Sequence, residues 1–296
     1  MPTSDTLTTD QRLTVRALST IEDFQRAESV QSEIWTMNDL TQVIPLHVLL
    51  TAQKNGGLVA AAFLGAQQMV GLLFGFIGLT LEGKYKHCSH LMGIMPEVRR
   101  QNVGQALKLF QREYVLRQGL DLVTWTFDPL EGVNASLNIA KLGGIVHHYY
   151  PDLYGSSMAD SINSGLPTDR FGVEWWIDSS HVRQSVAGQR ERPSHSSLIA
   201  QGAQVVNQTQ LDEQGALRPL ASQLDLTADT LLVEIPSEFQ ALKSMSLAVA
   251  QAWRSQTAAI FTQYFANGYA VVDFITDRAD NHRRNFYVLS RLIPVR

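Results

Sequence analysis

Cysteine is almost missing from this sequence. Cys88 stands alone, so no internal disulfide framework can form, and the chain fits a reducing compartment, expected to be the cytoplasm. Excess basic charge is missing too, with 24 Lys and Arg against 28 Asp and Glu, a formal −4. A phosphate backbone finds no basic landing surface, and nucleic acid is not an expected partner. Long apolar runs are also lacking. The most apolar stretch, residues 58–79, is broken by glycines and by Gln67 and Gln68. It reads as two strands and a turn, so no membrane contact is expected. Residues 1–11 are polar and read as a disordered leader without a signal peptide. Neither an internal repeat nor a low-complexity tract interrupts the chain. What remains is 296 residues that are 45% apolar and 18% charged, enough to bury a large core.

The apolar spacing lays out an α/β (α+β) chain. Residues 13–18 alternate as a first strand, and Ser19 or Thr20 can cap a helix running to Trp35. Helical spacing of Leu46, Leu49 and Leu50 ends at Asn55-Gly56-Gly57. Strands follow at 58–64 and 69–77 as a hairpin, then at 87–95. An amphipathic helix covers 103–118, a strand 121–127, a helix 134–142 and a strand 145–150. The middle of this order predicts a mixed sheet with helices on its faces. A Pro/Gly-rich loop leads to a strand at 171–177. Beyond it, 179–214 is polar, with 185–197 the best candidate for a mobile segment. A strand at 231–235, helix at 237–267 and hairpin of 269–275 with 285–292 close the chain. The expected division is a domain at 1–178 and an α+β extension at 179–296. The extension is expected to shape an acceptor pocket or an oligomer interface, a homodimer being the simplest.

The clearest chemical feature follows the strand at 87–95. The turn Pro96-Glu97-Val98-Arg99-Arg100-Gln101-Asn102-Val103-Gly104-Gln105-Ala106 runs into a helix start. The first N–H groups of a helix lack intrahelical partners, and its dipole is positive there, so the arrangement binds anions. Gly104 permits close backbone approach, and Arg99 and Arg100 add charge. An ordinary strand–turn–helix with a surface arginine pair explains the same residues about as well. A Walker loop is excluded by the missing Gly-Lys-Ser/Thr ending, and a dinucleotide fingerprint by the missing glycines.

This segment resembles the acyl-CoA-binding motif of the GNAT acyltransferases, Gln/Arg-x-x-Gly-x-Gly/Ala. Arg99-x-x-Asn102-x-Gly104 matches in position with Asn102 in place of the first glycine, and Gln101-x-x-Gly104-x-Ala106 matches literally. Asn tolerates unusual backbone angles. Residues 134–143, ending Ala140-Lys141-Leu142-Gly143, are similar to the family's following helix, with Ile139 where a tyrosine acid often stands. The order of elements over 13–178 also resembles that fold. A narrower likeness, through Glu33-Ile34-Trp35, 54–57, 125–130, 165–171 and Glu174-Trp175-Trp176, is to a bacterial subfamily of acetyltransferases. Some of its members occur beside N-acylamino acid racemases, and those are implied to succinylate D-amino acids. The resemblance implies acetyl-CoA or succinyl-CoA as donor, a small-molecule amine as acceptor, and a cofactor site of residues 93–95, 99–106 and Asn134. It also implies that backbone N–H groups of Gly93, Ile94 and Met95 polarise the thioester.

Acyl transfer to an amine also needs a base and an acid. Strand parity puts His90, Met92 and Ile94 on one face, and His90 titrates near neutrality, although a hydrogen-bonded core histidine is the commoner case. Asp128 ends a strand whose polar face carries Thr124 and Thr126, and a turn-capping role is equally open. Glu97, at the start of the cradle turn, reads more readily as a solvated carboxylate. Tyr149, Tyr150 and Tyr154 are acid candidates, with Tyr150 put first. Arg170 can hold a substrate carboxylate or pair with Asp169. His87 and His90 point to opposite faces of a strand, as do His147 and His148, so no metal site is expected. Cys88 reads as buried filler.

Overall fold

The computed structural model describes residues 12–35, 42–65, 67–99, 101–155, 165–213, 215–279 and 282–294. The expected leader at 1–11 and Arg100 lie outside the described residues. Contacts divide the chain into two units, Met1–Thr124 and Trp125–Arg296, so the division falls inside a strand.

The N-terminal unit holds β1 (Leu13–Ala17), α1 (Ile21–Trp35), α2 (Leu46–Lys54), β2 (Leu58–Leu64), β3 (Gln68–Leu79), β4 (Tyr85–Ile94), α3 (Val103–Arg117) and the start of β5 (Leu122–Phe127). Strands β1 to β4 pair antiparallel in chain order. β5 joins β4 in parallel, which requires the α3 crossover between them. Thr20 caps α1 by accepting the Asp23 N–H at 3.2 Å. Phe24, Ala27, Val30 and Ile34 then line one face of that helix and are buried. They pack with α2 and with Val59, Ala61, Leu72 and Phe74 on one side of the sheet. Val103, Leu107, Phe110 and Tyr114 of α3 pack on the other, against Leu58, Ala60, Ala62 and Leu73. Covered on both faces, β2 has to be apolar at successive positions, and Leu58–Leu64 reads LVAAAFL.

The C-terminal unit contains α4 (Gly132–Ala135), which continues as a π-helical turn over Ser136–Lys141, then β6 (Ile145–Tyr150), β7 (Arg170–Trp176), α5 (Ser180–Val186) and α6 (His195–Ala200). β8 (Gln204–Val205), β9 (Asn207–Leu211), β10 (Leu217–Ser222), β11 (Thr230–Ile235), α7 (Phe239–Met245), α8 (Leu247–Ala266), β12 (Ala270–Ala279) and β13 (His282–Ser290) complete it. Its sheet runs β7-β6-β12-β13-β11-β8, and β9 and β10 form a separate hairpin. Trp253, Ile260, Phe261 and Tyr264 of α8 centre the core, with Phe171, Val271, Phe274 and Tyr287. The molecule is thus the expected mixed α/β chain, its sheets mostly antiparallel and flanked by helices.

Three local expectations change. Residues 185–197, read as mobile, border two short helices. Ser179 and Ser194 cap α5 and α6 by accepting the Val182 and Ser197 N–H groups. Polar composition there reflects caps and exposed helix faces, not absence of structure. The helix expected over 237–267 is two, because Ser246 adopts extended geometry (φ −153°, ψ 105°) and caps α8. β8, β9 and β10 were not foreseen; β8 and β9 fall in the polar stretch 179–214, and β10 carries Pro219, a residue that argues against a strand. No helix among the described residues is long and apolar enough to cross a membrane.

Candidate functional site

β4 meets β3 along its whole length but leaves β5 early. The β3–β4 ladder runs to Gly71–Ile94, whereas the β4–β5 pairing stops at Cys88–Thr124. Among the described residues of the N-terminal unit, the second half of β4 therefore has no partner on that edge. Met95 N–H is spent on Val70 O at 2.9 Å. Successive residues of a strand point their N–H groups to alternate sides, so Ile94 N–H faces the unpaired edge and Gly93 N–H faces β3. Of the three residues expected to supply a backbone donor, Ile94 is the one so aimed. Gly93 has another reason to be glycine: a Cβ there would lie 2.5 Å from the Trp35 ring and 2.6 Å from Ile34 Cγ2.

A bulge sits in the same strand. The register slips between Phe74 and Gly75, which pair with Leu91 and Ser89, so His90 is the extra residue. This corrects the parity reading. His90 does not share a face with Met92 and Ile94; it packs edge-on to Phe74 on the α1–α2 side, while Met92 and Ile94 pack on the α3 side. His90 is exposed, not a core histidine, and partial burial lowers its pKa below the ordinary value.

After β4, Pro96–Val98 makes one 3₁₀ turn. Asn102 then adopts left-handed geometry (φ 59°, ψ 15°) as the residue before α3, and its side chain makes no cap hydrogen bond. Apart from Asp152, Asn102 is the only described non-glycine residue with positive φ. Glycine is the default at such a position and asparagine the next choice, which accounts for Asn102 where the motif has glycine. Arg99, Gln101 and Asn102 are exposed, Val103 and Gly104 buried, Gln105 and Ala106 half-buried. The Arg99 side chain reaches back to Ile94 O at 3.4 Å. Helix first-turn N–H groups of this kind can receive an anion. Glu97 is exposed, the solvated carboxylate of the blander reading.

Beneath this turn lies a buried polar layer that periodicity does not flag. Lys108 of α3 is 1% exposed. It donates to Ser89 Oγ at 2.8 Å and Gln111 Oε1 at 3.1 Å. Burial pushes its pKa well below the ordinary lysine value. His87 is fully buried, and neither ring nitrogen has a hydrogen-bond partner. Burial, and secondarily Lys108, push its pKa down to about 4. Gly75 makes room for the ring, since a Cβ there would lie 2.3 Å from His87 Nε2. Cys88, half-buried, packs near Thr124.

The remaining candidates belong to the C-terminal unit. Asp128 is not an available carboxylate: Arg254 donates to both its oxygens, at 2.8 and 2.5 Å. Asp128 also caps the turn through Leu130 N–H at 2.8 Å, the structural role left open for it. Burial opposes the charge of Arg254, but Asp128 more than offsets this and its pKa is raised. Arg170 joins the same network, 3.8 Å from Asp128 and donating to Asp169 O at 2.9 Å. The pairing with the Asp169 carboxylate is taken by Tyr149 instead; burial and that carboxylate raise the phenol pKa. Tyr150 is exposed, stacked on His148 at 6.1 Å. Tyr154 lies 3.2 Å from Thr126 Oγ1. Asn134 is exposed on α4, and Ile139 is fully buried in the core.

Comparison with solved structures finds partial similarity. Over 56% of this chain and 94% of the other, at 14% identity and a TM-score of 0.43, it is similar to the ribosomal-protein-S18-alanine N-acetyltransferase from Escherichia coli. Over 55% and 98%, at 15% identity and 0.44, it is similar to an acetyltransferase of the GNAT family from Streptococcus pneumoniae. An aminoglycoside acetyltransferase from an uncultured soil sample, in complex with trehalose, is similar over 42% and 84%, at 16% and 0.38. No family model matches the sequence, and no curated protein matches it.

Proposed function

We propose that the protein is an N-acyltransferase of the GNAT type, moving an acetyl or succinyl group from acyl-CoA to the amine of a small molecule. The observation that carries this reading is the unpaired edge of β4 running into the Asn102 turn. It joins a strand edge able to bind an extended amide-bearing arm, an inward-aimed Ile94 N–H, and a helix start suited to a pyrophosphate. Residues 101–106 contribute backbone N–H groups and Arg99 charge. Ile94 N–H stabilises the oxygen of the thioester carbonyl as the amine attacks. The new C–N bond forms, the C–S bond breaks, and the thiolate takes up a proton. His90, exposed at the bulge and with its pKa lowered by partial burial, is the proposed base. Tyr150 is the exposed acid candidate. Arg170, beside a carboxylate already held by Arg254, is the candidate for an acceptor carboxylate, and a D-amino acid acceptor remains the finer form of this proposal. Thiol release from acetyl-CoA and succinyl-CoA against a panel of D- and L-amino acids tests it. Release with at least one pair is expected; silence with every pair, given tight CoA binding, contradicts it.

A second reading, a non-catalytic CoA-binding protein, is favoured by the closed Asp128–Arg254 pair and the buried Ile139. The variant His90→Ala separates the two. Turnover lost with CoA binding retained supports catalysis.

A further inference from the structure

A cavity of about 440 Å³ lies wholly in the C-terminal unit, between the β9–β10 hairpin, α7 and the start of β13. Its charged wall is informative because most of that charge is already used. Arg284 donates through Nε and Nη2 to the buried Glu234 at 2.7 Å each. Thr209 adds a third bond to the same carboxylate at 2.7 Å. This fixes the wall but leaves it locally neutral. Beside His282, two charged side chains of the lining form no salt bridge among the described residues, Arg283 and Glu238; both are exposed, and Arg283 donates only through Nε, to the Asn285 side-chain oxygen at 3.3 Å. Arg283 also stands directly opposite Arg278 in the β12–β13 ladder. Like charges so placed repel and favour an incoming anion. The remainder of the lining includes Leu217, Leu242 and Met245, and Met245 is 57% exposed, an apolar side chain left facing solvent.

One positive charge, one negative charge and an apolar surface, all bordering a cavity of small-ligand size, complement one kind of molecule. We propose that this cavity binds a small zwitterion with an aliphatic side chain, a free α-amino acid being the simplest. Its carboxylate meets Arg283, its ammonium Glu238, and its side chain lies on Leu217, Leu242 and Met245. A carboxylate prefers arginine because the guanidinium offers paired donors. This binding does not depend on acyl transfer, so it stands or falls separately from the reading above.

Calorimetric titration of the full chain, without acyl-CoA, tests the site with four probes: L-leucine, D-leucine, leucinamide and 4-methylpentanoate. Saturable binding of at least one leucine is expected. Leucinamide, lacking the carboxylate, and 4-methylpentanoate, lacking the amine, are each expected to bind about tenfold more weakly or not at all. Arg283→Gln and Glu238→Gln are expected to weaken leucine about tenfold each. Ala241→Trp, on the exposed face of α7, is expected to fill the cavity and abolish binding, with an unchanged melting temperature showing that the fold is kept. No saturable binding of either leucine up to about 10 mM, the weak end for so small a ligand, overturns the proposal. So does equal binding of all four probes, or binding unaffected by the three substitutions.

Discussion

Lys108 in the N-terminal unit is buried and donates to Ser89 and Gln111, and His87 beside it has no hydrogen bond on either nitrogen. In the C-terminal unit, three buried carboxylates are each held by an arginine. Arg254 holds Asp128 through two bonds, Arg190 holds Asp273 at 2.6 Å, and Arg284 holds Glu234. A buried lysine or histidine can respond to burial by a lowered pKa. A buried guanidinium cannot do so and must be paired. The first arrangement makes stability depend on pH; the second makes it depend on partners. The same contrast extends to the backbone: β4 pairs with β5 at only two positions, whereas β13 of the C-terminal sheet is laddered on both sides, by β11 and β12, over Asn285–Ser290.

The largest expected effect comes from breaking a matched pair. Arg254→Ala removes the two-bond partner of buried Asp128 and leaves it only Arg170 at 3.8 Å, and urea unfolding is expected to show a loss of about 3 kcal/mol. Loss below about 1 kcal/mol would mean the pair is not sealed from solvent.

The next effect belongs to the other unit. The His87 pKa is about 4 in the folded chain and near 6.5 when unfolded. Between those values the unfolded state binds more protons, so stability falls as pH drops from 6.5 towards 4, by about 3 kcal/mol in all. His87→Leu is expected to flatten that part of the stability profile. Lys108 follows the same sign at higher pH. Burial lowers its folded pKa, so unfolding takes up a proton between that lowered pKa and the unfolded value near 10.4, and its contribution improves as pH rises through that window. Lys108→Met is therefore expected to match or exceed the parent in stability at pH 7, with the advantage shrinking by pH 10. A strongly destabilised Lys108→Met would show that the bonds to Ser89 and Gln111 outweigh the desolvation.

The smallest expected effect is at the turn. Asn102→Gly is expected to change stability by a few tenths of a kcal/mol and to keep CoA binding, while Asn102→Val costs about 1–2 kcal/mol, since a branched side chain resists positive φ. Equal stability of the two variants would mean that the left-handed turn is not required.

The contrast also marks what was legible in the sequence. Periodicity located α1, α2, α3 and β2–β5 within a few residues, because each buries one face or both. Asn102 could be read as a glycine substitute because local conformation, not tertiary context, decides that position. The bulge at His90 could not be read, since one extra residue inverts strand parity without leaving a composition signal. The ion network was hidden for another reason: Asp128 and Arg254 are 126 positions apart. Lys108 was invisible because a lysine on an amphipathic helix is normally solvated; only packing against β4 reveals its burial. Polar stretches such as residues 179–214 were underestimated because serine caps and loops have similar composition.

The central claim is that the β4 edge and the first turn of α3 form the acyl-CoA site. Residue-resolved amide hydrogen exchange, with and without saturating acetyl-CoA, tests it most directly. Ile94 N–H is expected to exchange rapidly in the free protein and to slow markedly with ligand, together with amides 102–105, while Met95 N–H, already bonded to Val70 O, changes little. Acetyl-CoA binding that leaves Ile94 and residues 102–105 unprotected would contradict it.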